Sequence, residues 1–346
     1  MKIGLIGYQG SGKSTLFEWL TLVQPDPALA HASQMAMASV PEPRVDQLSG
    51  IYHPKKITLA AIELVDTPGL SRTHEGNATR LAVIREAGCL VLVIAAHDSA
   101  SNPLAEVTGL NEDFLLDDME IVSGRIERLR ESLKKPRPNR DAEQAELAAL
   151  EPILVTLESG KPVHDARLND EQQKAIRSFR LLTEKPKLVV VNVADDEPDA
   201  ERFVKELAAL SPPVPSLAVA LRLELELERM GPEERDAFRR EMGVGGFDRD
   251  ALIHTLLASS GQMLYFTAGE KEVRTWMLRQ GGTALEAAAN IHTDLARGFI
   301  RAEVMKCADL VRLGSEREIK AQGLVRHEPK DYVVQDDDIL NIRFSV

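Results

Sequence analysis

The chain opens MKIGLIGYQGSGKST (residues 1–15), and this stretch decides the fold. Met1 to Ile6 is a short apolar run of the length of a buried strand. Directly behind it, Gly7-Tyr8-Gln9-Gly10-Ser11-Gly12-Lys13-Ser14-Thr15 fills the pattern G-x-x-x-x-G-K-[ST]. Leu16, Phe17 and Leu20 follow at helical spacing, so the loop joins a strand to a helix. Gly7, Gly10 and Gly12 let backbone N–H groups turn inward around phosphate oxygens. The positive end of the helix dipole adds to the attraction. The N–H groups from Gly10 through Ser14 are therefore expected to cradle phosphates, with Thr15 in the same turn. Lys13 is expected against the β- and γ-phosphates, and the Ser14 hydroxyl on Mg²⁺.

Further elements follow from the loop outward. Ile57 to Val65 reads as a second strand ending in Asp66-Thr67-Pro68-Gly69. An Asp there can hold Mg²⁺ through water, and Gly69 can present its N–H to a γ-phosphate. Cys89 to Ala96 (CLVLVIAA) is nearly all apolar, as a central parallel strand is. Lys187 to Val191 reads as another strand, ending in Asn192-Val193-Ala194-Asp195. GTPases carry N-K-x-D at this place; Val193 stands where their Lys packs along the base, so the purine signal is stronger than the guanine signal. Val219-Ala220-Leu221 takes the place of the last base-contacting motif.

Between these strands, Met119, Val122, Ile126, Leu129 and Leu133 recur at spacings of three and four, as do Leu147, Leu150, Leu154 and Leu157. The segment KKPRPNR separates the two runs, and Pro136 and Pro138 end the helix there. An antiparallel helical hairpin over residues 118–182 is predicted. Its tip gathers Arg128, Arg130, Lys134, Lys135, Arg137 and Arg140 against Glu131. A charged tip is commonly a solvated turn; this cluster also suits a phosphate backbone.

Composition bounds these readings. Of 346 residues, 44% are hydrophobic and 28% charged, ordinary for a globular protein. Acidic residues outnumber basic ones 54 to 42, a net charge of −12 that excludes an indiscriminate nucleic-acid binder. The acidity is not uniform: 118–182 is neutral and 264–346 carries −1, so the excess lies on the nucleotide-binding segments. Two cysteines, Cys89 and Cys307, exclude a disulfide framework and a Cys-rich zinc site. No run approaches the ~20 apolar residues of a membrane span, and the start does not read as a signal peptide. A cytoplasmic, monomeric protein without membrane contact is expected. His292 and Asp294 are read as a structural hydrogen-bonded pair in preference to ligands.

These motifs together resemble the YchF, or Obg-like ATPase, family of translation-factor-class P-loop NTPases. The likeness spans nearly the whole chain. Its anchors are the P-loop, VPEPRVDQLSGIYHPKK (40–56), DTPGL (66–70), LLTEKPKLVVVNVADDE (181–197), YFTAGEKEVRTW (265–276), IHTDLARGFIRAEV (291–304) and DYVVQDDDILNIRFSV (331–346). The resemblance implies an α/β fold: a doubly wound P-loop NTPase domain (1–117 and 183–263), an inserted antiparallel coiled-coil hairpin (118–182) and a C-terminal β-grasp-like TGS domain (264–346). It implies slow ATP hydrolysis with Mg²⁺, coupled to ribosome or RNA contact through the hairpin tip and the TGS domain. A GTP-binding member, or a hydrolysis-impaired interaction protein, is the alternative. Asn192, Val193, Asp195, Ala220 and Leu221 would line the base, Ser14 and Asp66 the metal, and Arg130, Lys134, Lys135, Arg137 and Arg140 the partner.

Departures from the family cluster around hydrolysis. Gly10 replaces an Asn that helps hold a potassium ion in related NTPases. The first-switch stretch Ala30-His31-Ala32-Ser33-Gln34-Met35 has no Thr. Tyr8-Gln9 replaces the usual pair. Leu70 stands where Ras-like enzymes have a water-orienting Gln, in agreement with the family. Where the family has been argued to use a His, Glu106 is the matching residue, with His97 nearby. The catalytic candidates are therefore Lys13, Gly69 and Glu106.

Overall fold

The computed structural model describes residues 1–29, 31–73, 76–98, 101–135, 138–163, 166–210, 213–243 and 245–345. Among them the strands are β1 (Lys2–Ile6), β2 (Gln34–Ser39), β3 (Ile57–Thr58), β4 (Ala61–Asp66), β5 (Cys89–Ala96), β6 (Lys187–Val193), β7 (Ser216–Val219), β8 (Gln262–Ala268), β9 (Val273–Arg279), β10 (Phe299–Lys306), β11 (Arg326–Glu328) and β12 (Asp338–Phe344). The chain divides into two compact units, Met1–Ala36 with Glu63–Phe247, and Met37–Ile62 with Asp248–Val346.

The sheet of the first unit runs β2-β4-β1-β5-β6-β7. β1 pairs in parallel with β4 and β5, and β6 joins β5 and β7 in parallel. β5 is buried at every residue, as a strand covered on both faces is. The register Leu5↔Asp66 brings Asp66 to the carboxyl end of β1, beside the glycine-rich loop. Open α/β sheets place their ligands at this end.

The hairpin forms, but it begins earlier than the heptads suggest. Its first arm is one 31-residue helix, Pro103–Leu133, started by the Asn102 side chain accepting the Ala105 N–H at 3.0 Å and by Pro103 in the first turn. No residue near 118 interrupts it. The second arm is Arg140–Glu158. Val122, Ile126 and Leu129 meet Leu150, Ile153 and Leu157 in the core between them. Ile153, rather than the expected Leu154, takes the fully buried place, and Leu154 is only partly covered. At the base of the hairpin the buried Asp118 accepts the N–H groups of Leu182 and Thr183 at 2.9 and 2.8 Å and pairs with Arg85 at 2.9 Å. That carboxylate fixes where the chain turns back into β6.

In the second unit the sheet runs β11-β10-β12-β8-β9-β3. β8 and β9 form an antiparallel hairpin, and β12 pairs in parallel with β8. Helix Ala284–Ile291 covers one face, burying Ala284, Ala287 and Ala288 against Tyr265, Leu278, Val304 and Leu340. The other face is covered by Cys307–Leu313 and by Pro43–Tyr52, whose Val45 and Leu48 pack with Phe266, Val273 and Ile339. His292 Nδ1 accepts the Asp294 N–H at 3.2 Å, a structural cap.

Two expectations are corrected here. The run 57–65 is not one strand: Ile57–Thr58 pairs with β9 in the second sheet, and Ala61–Asp66 pairs with β1 in the first. Residues 37–62 and 248–263 fall in the second unit, not with the nucleotide-binding sheet as the expected boundaries have it. The reason is burial: Val45 and Leu48 complete the core under the second sheet.

Candidate active site

The loop 7–15 is set between strands of the first sheet. A Cβ on Gly7 would lie 2.2 Å from the Val93 carbonyl oxygen of β5, so only glycine allows this approach. Gly10 and Gly12 adopt φ of +84° and +100°, the left-handed region that turns N–H groups inward. Helix Lys13–Thr21 starts at Gly12 with no side chain capping its first N–H groups, which leaves those donors for an anion.

Lys13 is almost wholly buried and donates through Nζ to the Tyr8 carbonyl at 3.0 Å. Burial lowers its pKa, partly countered by the charge of Asp66. Ser14 Oγ donates to Asp66 Oδ2 at 2.6 Å. The other oxygen, Asp66 Oδ1, is buried with no hydrogen-bond partner, as is Ser11 Oγ. Burial raises the Asp66 pKa, while Ser14 and Lys13 pull it down. A buried, unsatisfied carboxylate oxygen beside a serine hydroxyl suits a hard cation such as Mg²⁺. Among the described residues no cluster of three or more His, Cys, Asp or Glu would hold a metal by itself, so phosphate oxygens would have to supply the remaining ligands.

The DTPGL segment is joined to the loop by backbone hydrogen bonds. Leu70 N–H donates to Gly7 O at 3.0 Å, and Gln9 N–H donates to Leu70 O at 3.3 Å. A Cβ on Gly69 would meet the Gln9 backbone at 2.8–2.9 Å. Gly69 thus sits against the phosphate loop.

At the base end, Asn192 does something its motif alone does not reveal. Its amide donates to Ser11 O at 3.1 Å and accepts the Leu221 N–H at 3.3 Å. It therefore ties the phosphate loop to the segment after β7, and Leu221 packs beside Gly12. Strand alternation turns Val193 the other way, into the apolar core with Leu92 and Phe203. The expectation that the Val193 side chain lines the base is corrected. Asp195 is exposed just past the strand, and Ala220 is partly buried against the core. Glu224 is tied to Arg239 and the Phe247 N–H and serves the fold.

Glu106 lies in the first turn of Pro103–Leu133 and is 8% exposed. Oε1 pairs with Arg72 Nη2, and Oε2 accepts the Ala95 N–H at 3.3 Å. With both oxygens engaged it is not set to take a proton from water, which corrects its reading as a catalytic group. His97 lies nearby, its Nδ1 3.5 Å from the Asn192 amide. In the first-switch stretch, Gln34 grips Asp26 through two hydrogen bonds; Ala30 lies outside the described residues.

The tip charges are partly spent. Arg130 pairs with Glu151 of the opposite arm at 2.8 Å, and Lys134 pairs with Glu131. Lys135 and Arg140 are exposed without an ion pair among the described residues, and Arg137 lies outside them.

A parallel sheet with a G-x-x-x-x-G-K-S loop, a buried Lys13 and Asp66 joined by Ser14, and a D-x-x-G segment locked to that loop defines an α/β P-loop NTPase. A family model described as a 50S ribosome-binding GTPase matches residues 2–122, and the YchF-GTPase_C model, described as a protein of unknown function, matches residues 263–345. The Ribosome-binding ATPase YchF of Bacillus subtilis is 33% identical over 99% of both chains. Obg-like ATPase 1 of Oryza sativa is 32% identical over 100% of this chain and 92% of its own. The solved structure of the Schizosaccharomyces pombe YchF GTPase superposes with a TM-score of 0.84 at 25% identity, covering 99% of this chain and 97% of that one. The chain belongs to the YchF family.

Proposed function

We propose that this chain is a Mg²⁺-dependent nucleoside triphosphatase that prefers ATP to GTP, acts in the cytoplasm as a monomer and associates with ribosomes. The observation that carries the reading is the buried pair Lys13 and Asp66, with Ser14 bonded to Asp66, at the start of a helix whose first N–H groups no side chain caps. Lys13 exchanges its Tyr8 contact for phosphate oxygens. Ser14 and Asp66 hold Mg²⁺, which when bound offsets charge on the β- and γ-phosphates. Gly69 presents its N–H toward the γ-phosphate.

The preference for ATP rests on the base end. Val193 cannot pack along a guanine as a Lys would, because its side chain is in the core. Relatives whose names call them ATPases agree with this choice. An exposed Asp195 is what a guanine would need, so the decisive experiment is an equilibrium titration with fluorescent ATP and GTP analogues. Tighter ATP binding is expected, and tighter GTP binding overturns the preference.

Ribosome association is supported by the names of the relatives and by the basic tip. In this reading the sheet of β8–β12 is the TGS-like module and a second contact. Lys135 and Arg140 are exposed tip charges without an ion pair among the described residues. Lys135→Glu with Arg140→Glu is expected to weaken co-sedimentation with ribosomes roughly tenfold and to reduce its salt dependence. Binding equal to the unaltered protein contradicts the tip contact.

A further inference from the structure

The chain lacks a Gln after its D-x-x-G glycine, and its Glu106 is engaged at both oxygens. The hydrolytic side of the site therefore has no evident group from the sequence motifs. The same contacts that occupy Glu106 set a cation beside the phosphate loop. Arg72 follows Leu70 by two residues, and its guanidinium carbon lies 5.1 Å above the Tyr8 ring. Tyr8 and Arg72, with Gln9, Gly10, His97 and Glu106, line a cavity of about 600 Å³. Gly10 is the first of the phosphate-cradling N–H donors, so this cavity adjoins the place where the terminal phosphate must sit.

We propose that Arg72 is a catalytic residue whose guanidinium contacts the γ-phosphoryl group, and that Glu106 and Tyr8 are positioning residues that hold it. The inference rests on the triphosphatase reading above. The arrangement has the features such a cation needs. Glu106 is itself fixed, buried and bonded to the β5 backbone at Ala95. The Arg72 side chain is 62% exposed and uses only Nη2 in hydrogen bonding among the described residues. A guanidinium has five N–H donors and stays charged, so the remaining donors are free for oxygens without any proton transfer.

The chemistry asks for such a charge. A water oxygen bonds to the γ-phosphorus as the bond to the β–γ bridging oxygen breaks. The bonding pair leaves with the nucleoside diphosphate, and the water proton passes to the released phosphate. Negative charge builds on the bridging and γ-oxygens, where a fixed cation stabilises the transition state more than the ground state. Here the cation is supplied in cis by the segment that also carries Gly69. That segment is already hydrogen-bonded to the loop, so both groups lie on one element beside the γ-phosphate position.

The test is single-turnover phosphate release from Mg·ATP by the full chain, with ADP affinity measured in parallel. Arg72→Ala is expected to slow release about a hundredfold or more while ADP affinity stays within about twofold. Arg72→Lys recovers part of the rate, and guanidinium at non-denaturing concentration rescues Arg72→Ala but not the unaltered protein. Glu106→Gln slows release about tenfold, and combining it with Arg72→Ala costs no more than Arg72→Ala alone, as coupled residues do. Arg72→Ala releasing phosphate at the unaltered rate overturns the assignment and leaves the triphosphatase reading intact. A parallel fall in ADP affinity and rate, without guanidinium rescue, also overturns it, since that marks a structural role. An unaltered protein no faster than Lys13→Ala overturns both readings.

Discussion

Gly7→Ala is expected to abolish measurable nucleotide binding while leaving most of the fold in place. The added Cβ would lie 2.2 Å from Val93 O and 2.8 Å from Ser11 Oγ. The Val93 carbonyl cannot retreat, because β5 is held on both sides, by β1 through Leu5↔Val91 and Ile6↔Leu92 and by β6 along its length. The loop must move instead. Overpacking of this kind costs about 1–3 kcal/mol of stability. The larger loss is functional, since moving Gly7 also breaks the Leu70 N–H contact to its carbonyl and displaces the N–H groups that follow. Affinity for ATP should fall by roughly a hundredfold or more, the loss of two or more charge-assisted hydrogen bonds. Gly50→Ala is the control: that glycine lies in helix Pro43–Tyr52 with open space around its would-be Cβ. It should leave nucleotide binding unchanged and raise stability by about 0.5–1 kcal/mol. Circular dichroism melting with ATP titration checks both variants, and normal binding by Gly7→Ala would contradict the geometry.

Asp66→Asn is expected to remove Mg²⁺ dependence rather than folding. Asp66 keeps one oxygen on Ser14 and buries the other unpartnered, and burial raises its pKa. The amide keeps an acceptor for Ser14 Oγ but takes the counter-charge from buried Lys13, so the fold should persist with a lowered melting temperature. The same change deprives Mg²⁺ of a charged ligand. Phosphate release should drop about a hundredfold or more and no longer rise with added Mg²⁺, whereas nucleotide binding without the metal should persist. A Mg²⁺ titration of release by both proteins gives the answer. Identical Mg²⁺ curves would remove Asp66 from the metal site.

The parts of this protein that were legible in its sequence are those where local chemistry dictates local shape. The G-x-x-x-x-G-K-S spacing only works as a strand–loop–helix, and β5 is too apolar for anything but a covered strand. The repeats around Val122 and Leu150 likewise predict one helix against another. What escaped depends on distant partners. Val45 and Leu48 carry no mark of which sheet they will cover, so the placement of 40–56 under the C-terminal sheet could not be read from them. The break after Thr58 follows from pairing with β9, more than 200 residues away in sequence. Arg130 loses its tip charge to Glu151 across the hairpin, and no local pattern shows it.

In the site, the same limit applies. Val193 was readable as a missing Lys, but its burial needed the register of β6 against β5, which pairs it with Ala96. Asn192 gave a base-motif signal, whereas its observed work is to join Ser11 to Leu221. The one cue available was that an Asn at a strand end has both a donor and an acceptor to place. Arg72 offered no motif at all. Its significance comes from Glu106 and Tyr8 converging on it from a helix and a loop.

The central claim is that this chain hydrolyses a nucleoside triphosphate at the Lys13–Ser14–Asp66 cluster, and phosphate release tests it most directly. The purified protein with ATP and Mg²⁺ should release phosphate at least tenfold faster than Lys13→Ala assayed beside it, a difference of about 1.4 kcal/mol or more in the barrier. Equal release by the two proteins would contradict the account and leave the nucleotide a static ligand.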